Sequence, residues 1–321
     1  MNQGIQIIKG PAVKRPLAFT PMQDLSGFLW HHLGRLFLFF ITCTSVLAVL
    51  LIFIFVFKEA LPFFQRYNFF DFIRSKDWYP TASPPSFGVL AIIVGSVYVT
   101  LAALIISVPL GILTALFLSD IAPAKLHDYV KPVIELLAAI PSVAYGFFAV
   151  LVVAPWMQKN FGFSTGTNAL NASLILAVMA LPTIISVAED SISAVGRELR
   201  QASYGLGATR FETLFKVVIP AAHSGIIAAI VLGMMRAIGE TMVVWMASGN
   251  ASQIPAPWWD LSLSIRTMTA TIAGELGETP KDTSHYFCLF AIGVLLLFMT
   301  FILNLISEYF LTKAKKMRGS N

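Results

Sequence analysis

The sequence predicts an all-α integral membrane protein with about six transmembrane helices. Three observations carry this. Of the 321 residues, 57% are hydrophobic and only 12% are charged, about half of the roughly 25% that covers an ordinary soluble domain. The apolar residues gather into uncharged runs of the length, about 20 residues, that crosses about 30 Å of hydrocarbon as a helix. These runs are continuous, whereas the strands of a membrane barrel alternate apolar and polar side chains. The apolar content also excludes a disordered chain, and two cysteines exclude a disulfide-stapled scaffold.

The first span is the uncharged run of 22 residues from Leu36 to Phe57. It is too long for the core of a signal peptide, and no small-residue cleavage site follows it. No charge occurs from Tyr79 to Ser119, which places the second helix over 91–118 behind an apolar lead-in. Pro109 and Gly111 predict a bend there. The third helix is expected over 132–154, with Glu135 and Pro141 inside it. The fourth covers 170–188 and includes Pro182. The fifth covers 224–248 and includes Arg236 and Glu240, and the sixth, over 286–307, is uncharged. The prolines favour kinks and are assigned no role in a site.

Six spans put both termini on one side. The N-terminal tail, the 119–131 loop, the 189–223 loop and the C-terminal tail carry fourteen of the 22 Lys and Arg residues, and the opposite side carries seven. The excess places both termini in the cytoplasm. The net charge of +5 is therefore an orientation signal and not a nucleic-acid footprint. Trp30, Trp78, Trp156, Trp258 and Trp259 fall near expected interfaces, as an aromatic belt requires. Cys43 and Cys288 lie inside spans and read as small packing residues. There is no metal-type Cys/His spacing, no phosphate-cradling Gly-x-x-x-x-Gly-Lys-Ser/Thr loop, and no dinucleotide fingerprint. Neither a metal nor a cofactor is expected, and energy for any transport must come from elsewhere.

The loop between the fourth and fifth spans is long and not simply hydrophilic. From Arg197 to Pro220 it mixes Tyr204, Phe211, Leu214 and Phe215 with Arg, Glu and Lys, and two short helical stretches flank Gly205 and Gly207. It fits an amphipathic helix lying on lipid headgroups or a docking element for a partner's groove.

Ala202, Gly207 and the Val217-Val218-Ile219-Pro220 that follows nine residues later resemble the signature loop of ATP-driven (ABC) importer permeases. Gln201 stands where that signature has Glu, Ser203 where it has a second Ala, and Val217 and Ile219 where it has Ile and Leu; the glycine, the spacing and the proline agree. The resemblance implies a MetI-like permease core with a coupling helix that inserts into a cleft on the ATP-hydrolysing subunit. It assigns Gln201, Ala202, Ser203, Gly207, Phe211 and Pro220 to that contact. Two further blocks, Ile134 to Gly146 and Gly233 to Met242 with its Arg236-Ala237-Ile238-Gly239-Glu240-Thr241, resemble phosphate importer permeases of the PstC type. With Gly249-Asn250 and Ser284-His285, the matching blocks span roughly 88–310. The organisation expected is a cytoplasmic tail over 1–35, the first helix over 36–57, a periplasmic loop over 58–85, a permease core over 86–310 with the coupling loop at 197–220, and a basic tail over 311–321. The implied partners are a second, PstA-type permease, a dimer of ATP-binding subunits and a periplasmic phosphate-binding protein, in a bilayer.

Arg236 and Glu240 are the deepest charges. An ionised group at mid-bilayer costs about 2.5–3.5 kcal/mol on insertion scales, so intramembrane charges read by default as functional. The i,i+4 spacing puts both on one face of the fifth helix. A guanidinium grips an oxyanion through two parallel hydrogen bonds, so the pair marks a substrate path for phosphate, with a structural ion pair as the alternative. Glu135, one turn beyond Lys131, is expected to snorkel or to pair with it. The stretch from Ile265 to Leu276 in the outer loop fits either a short helix at the outer mouth or a solvated loop. Three classes of function follow: a permease for phosphate or another oxyanion such as sulfate, molybdate or phosphonate; an ion-coupled carrier using Glu240; and a membrane scaffold without transport.

Overall fold

The structure, a computed structural model, describes the backbone of residues 21–319 and the side chains of residues 32–306, 308 and 309. Lys9, Lys14 and Arg15 lie outside the described residues, as do the side chains of Trp30, Lys313, Lys315, Lys316 and Arg318. The chain divides into two units, residues 1–55 and 56–321.

In the first unit the described chain is a single helix, part of α1 (Pro21–Arg66). The stretch His32–Arg66 has a mean hydropathy of 2.8, and its side chains from Leu36 to Phe55 are exposed almost without exception. A helix apolar on all sides is at rest in hydrocarbon. It runs well past the expected limits of 36 and 57, because the polar residues flanking that run do not break a helix; polarity marks the edge of the bilayer and not the end of the hydrogen-bond ladder.

The second unit opens with the end of α1, then α2 (Phe69–Arg74), capped by the Asn68 side chain, and an antiparallel pair, β1 (Trp78–Tyr79) on β2 (Ser86–Phe87), in which Trp78 faces Phe87. Phe63 sits among Tyr67, Phe72 and Phe87, with ring centroids 4.9–5.6 Å apart. Trp78 joins this aromatic core at 5% exposure. It is thus a core residue and not a belt residue, unlike the exposed Trp156, Trp258 and Trp259.

The spans follow. α3 (Leu90–Leu116) ends in a π turn at Phe117–Ile121. Next come α4 (Ala124–Ala139), α5 (Ser142–Phe148) and, after a π turn at Ala149–Val153, α6 (Ala154–Phe161). α7 (Ala169–Ser193) is the central helix and packs on both α3 and α10. After it lie α8 (Arg197–Gly205), α9 (Arg210–Thr213), a π turn at Leu214–Val218, α10 (Ile219–Gly239), α11 (Met242–Ala247), α12 (Met268–Glu275) and α13 (Ser284–Gly319). Small residues let the central helices close up. A β-carbon at Gly233 would lie 2.5 Å from Ile184, and one at Gly111 would lie 2.6 Å from it.

Two expected spans are broken. The expected helix over 132–154 is a pair, Ala124–Ala139 and Ser142–Phe161, bent by 90°. Ile140 is extended, with ψ 128°, as the residue before a proline prefers. The Tyr145 hydroxyl donates to the Leu137 carbonyl across the break at 2.9 Å. With this pair taken as one span, five further helices among the described residues are long and apolar enough to cross. The expected helix over 224–248 stops at Gly239, where Glu240 turns extended with ψ 131°, and α11 starts at Met242.

Candidate transport site and coupling surface

At the second break, Arg236 occupies the last turn of α10, where the helix dipole favours a cation. Its Nε is buried without a hydrogen-bond partner. Glu240 lies beyond the helix end, so the two do not share one helical face as the spacing suggested, and among the described residues no ion pair joins them. The Glu240 carboxylate instead faces the Val243 N–H at 3.5 Å.

Glu240 lines a small cavity with Ser96 and Thr100 of α3, Leu176 of α7, and Thr267 and Thr269 at the start of α12. These hydroxyls escaped the sequence reading. Each already has a partner: Ser96 donates to the Ile92 carbonyl and accepts from the Met268 N–H at 2.9 Å, Thr100 donates to the Ser96 carbonyl, and Thr269 donates to the Glu240 carbonyl at 2.9 Å. Thr267 accepts from the Ala270 N–H as the α12 cap. The spaced threonines 267, 269 and 271 were the available signal. The 265–276 stretch is thus a helix with a buried first turn, Met268 to Thr271, and not a solvated loop.

At one end of the helices the side chains are ionic. Lys131 of α4 pairs with Glu189 and, at 2.9 Å, with Asp190 of α7, while Glu135 is exposed. The expected Lys131–Glu135 pairing is therefore replaced. α7 runs to Ser193, past the expected end at 188, and this carries Glu189 into the packing at 5% side-chain exposure. Glu189 also lies 3.5 Å from His127.

α8 and α9 form the expected helix–turn–helix. Gly207 turns the chain with φ 84°, a conformation costing other L-residues roughly 1–2 kcal/mol. Thr209 and Glu212 close a capping box on α9. α9 then continues through its π turn into α10, so Arg210–Gly239 qualifies as one span. Of the six residues assigned to coupling, Gln201, Ala202, Gly207, Phe211 and Pro220 are exposed. Ser203 is buried, and its hydroxyl lies 2.8 Å from that of Thr213, tying α8 to α9. The outward face presents Leu206, 90% exposed, and Phe211, 68% exposed and set against Phe215 with ring centroids 4.4 Å apart. A groove runs beside it along Tyr204, Arg210, Phe211, Leu214 and Asp120.

At the opposite end, Glu275 gathers partners from distant segments. It accepts from the Trp78 indole N–H at 3.1 Å, pairs with Arg266, and lies 2.8 Å from His285 Nε2. Burial pushes its carboxyl upward, but the His285 hydrogen bond, the Arg266 charge and the indole N–H outweigh burial and leave it below the usual carboxylate range.

Residues 107–316 match the family described as binding-protein-dependent transport system inner membrane components. The chain is 39% identical to a probable ABC transporter permease protein, YqgH, of Bacillus subtilis, over 76% of this chain and 78% of that one. It is 34% identical to the phosphate transport system permease protein PstC of Mesorhizobium japonicum, over 78% of this chain and 81% of that one. In fold it resembles a chain of the bacterial alginate ABC transporter, with a TM-score of 0.59 at 16% identity, covering 88% of this chain and 96% of that one. It also resembles a chain of the inward-facing methionine transporter MetNI, with a TM-score of 0.56 at 17% identity, covering 70% and 95%. With that match over most of its spans, the chain belongs to the family of binding-protein-dependent transport system inner membrane components.

Proposed function

We propose that this chain is a phosphate-translocating permease subunit of an ATP-driven importer in the bacterial cytoplasmic membrane. The observation that carries the reading is the likeness to a relative named PstC, which extends over most of both chains. In the complete transporter the chain pairs with a second, PstA-type permease and with a dimer of ATP-binding subunits, and it receives phosphate from a periplasmic binding protein. Both termini are cytoplasmic. The α8–α9 surface then faces the ATP-binding subunits, and the Glu275 cluster faces the periplasm.

The substrate path runs past the break between α10 and α11. There the Arg236 guanidinium, with a buried N–H unengaged, is the cation that meets the oxyanion. A broken helix at mid-membrane is where transporters commonly place a site. The neighbouring hydroxyls of Ser96, Thr100 and Thr269 all donate to backbone carbonyls. Of the three, only Thr269 is tied to the break, and its hydroxyl is released to substrate when the Glu240 carbonyl moves. A permease that must release its cargo gains nothing from holding it tightly, and selectivity resides largely in the receptor.

The test is uptake by the assembled complex in proteoliposomes supplied with receptor and ATP. Phosphate is expected to be taken up in preference to sulfate and molybdate. Uptake must cease on ATP depletion while a proton gradient persists. Uptake that follows the gradient would refute the ATP-driven reading, and preferential uptake of sulfate or molybdate would refute the substrate.

A further inference from the structure

The ion pair between Arg200 and Asp120 belongs neither to the exposed coupling face nor to the cavity at Glu240. Arg200 sits on α8, one residue before the Gln201-Ala202-Ser203 segment, and Asp120 sits in the π turn that ends α3. The sites are 80 residues apart in sequence, and both side chains are largely covered, at 16% and 17% exposure. The guanidinium has a second hold: its Nη2 donates to the Ile192 carbonyl in the last turn of α7 at 2.8 Å. One side chain on the coupling helix thus grips the ends of two different spans.

The grip continues sideways. Ser119, beside Asp120, lies 3.1 Å from Ser193, the Ser193 hydroxyl donates to Glu189 at 2.9 Å, and Glu189 holds Lys131 of α4. α4 is the helix that ends at the Ile140–Pro141 break. The pair is also incomplete. Asp120 Oδ2 and Arg200 Nε are both buried with no hydrogen-bond partner, and the Nη2 that could reach Oδ2 beside the Nη1 contact is held instead by the Ile192 carbonyl. An arginine–carboxylate pair reaches its strongest form as a two-bonded fork. Nη2 therefore has two alternative partners, the Ile192 carbonyl it holds and the open Asp120 Oδ2, and its exchange between them separates the one-bonded from the two-bonded arrangement. π turns recur at functional positions in helices because they interrupt the regular ladder and admit such a shift.

We infer that Arg200 and Asp120 are positioning residues that transmit movement of the coupling helix to the spans, α3 and α7 directly and α4 through Glu189 and Lys131. This rests on the ATP-driven reading above. Spatial adjacency alone does not demonstrate energetic coupling; the unmade second contact is what supplies two discrete arrangements for the two ends to favour differently.

The experiment uses the whole complex, with its receptor, in proteoliposomes, and reads phosphate imported per ATP hydrolysed beside the amount of assembled complex. Wild type, Asp120→Asn, Arg200→Gln and the exchange Asp120→Arg with Arg200→Asp are compared. The single substitutions are expected to leave assembly and ATP hydrolysis in place and to lower phosphate per ATP about tenfold, within the roughly 5- to 150-fold range of allosteric couplings. The exchanged pair is expected to recover at least part of that loss. Single variants that assemble and import with the wild-type ratio would overturn the inference, as would losses of uptake and hydrolysis that merely follow the amount of complex. If the wild-type complex itself imports no phosphate with ATP, it is the functional reading that fails, and the variants are not needed to show it.

Discussion

The Thr269 hydroxyl donates to the Glu240 carbonyl at 2.9 Å, so the first turn of α12 holds the first of the two residues, Glu240 and Thr241, at which the α10 span has come unwound. The bond fixes the break from the side. Thr269→Val keeps the shape and removes the donor. A lost hydrogen bond of this kind is expected to destabilise the protein by about 1 kcal/mol, measured as a lower unfolding midpoint in detergent, and Thr269→Ser is expected to restore it. An unchanged midpoint in the valine variant would show that the bond contributes nothing.

Arg236→Gln is expected to abolish phosphate uptake while the complex still assembles, because the amide carries no charge to meet the oxyanion. Arg236→Lys is expected to retain only a fraction of the wild-type rate, since an ammonium cannot form the planar two-point contact. Uptake by the glutamine variant at the normal rate would remove Arg236 from the path.

Glu275 predicts an acid limit. Its folded carboxyl titrates below the ordinary value, so the unfolded chain binds the proton more readily. The stabilisation is complete above the unfolded value of about 4.3 and fades as pH falls through the lower folded value. Unfolding measured from pH 7 to pH 3 is expected to show a loss of stability at the acid end. Glu275→Gln is expected to be less stable at pH 7 and to show a shallower acid slope. Equal slopes in the two proteins would rule out this origin.

Gly207 tests the coupling turn without touching its surface. Nothing lies within 4 Å of where a β-carbon would stand, so a substitution there acts through backbone strain alone. Asn tolerates the left-handed region better than Ala, and a β-branched residue is worst. Retention of the ATP-binding subunit during purification is therefore expected to fall in the order Asn, Ala, Val. Equal retention by all three would show that the turn need not keep this conformation.

How much of this was legible depended on range. The spans were visible because hydropathy is a sum over neighbours, and the α8–α9 turn because Gly207 and Pro220 act locally. The break at Ile140 carried a local mark in Pro141, although a proline inside an apolar run does not say whether the helix kinks or turns through 90°. The break at Glu240 carried none: Gly239 and Glu240 interrupt no hydropathy window. It is maintained by Thr269, 29 residues away. Lys131 was read against Glu135, its neighbour along the helix, while its partners lie 58 and 59 residues on. Glu275 and Trp78 are separated by 197 residues, and no periodicity reports on such a meeting. The hydroxyls of Ser96 and Thr100 leave no mark on the hydropathy pattern, because each bonds to its own helix four residues back.

The right-angled break between α4 and α5 also bears on how the protein is made. α5 rests on α11, which begins at Met242, a hundred residues after Ser142. At about 5–20 residues per second, a ribosome needs roughly 5–20 s to supply that partner. During this interval the bend is held from within the segment, by the Tyr145 hydroxyl on the Leu137 carbonyl and the Ala144 N–H on the Pro141 carbonyl, while the face of α5 that rests on α11 has no partner. The segment from Ala124 to Phe161 therefore gains its support from α11 only after that helix has entered the bilayer. A truncation that ends before Met242 would leave it as an unsupported hairpin, a ready target for membrane quality control.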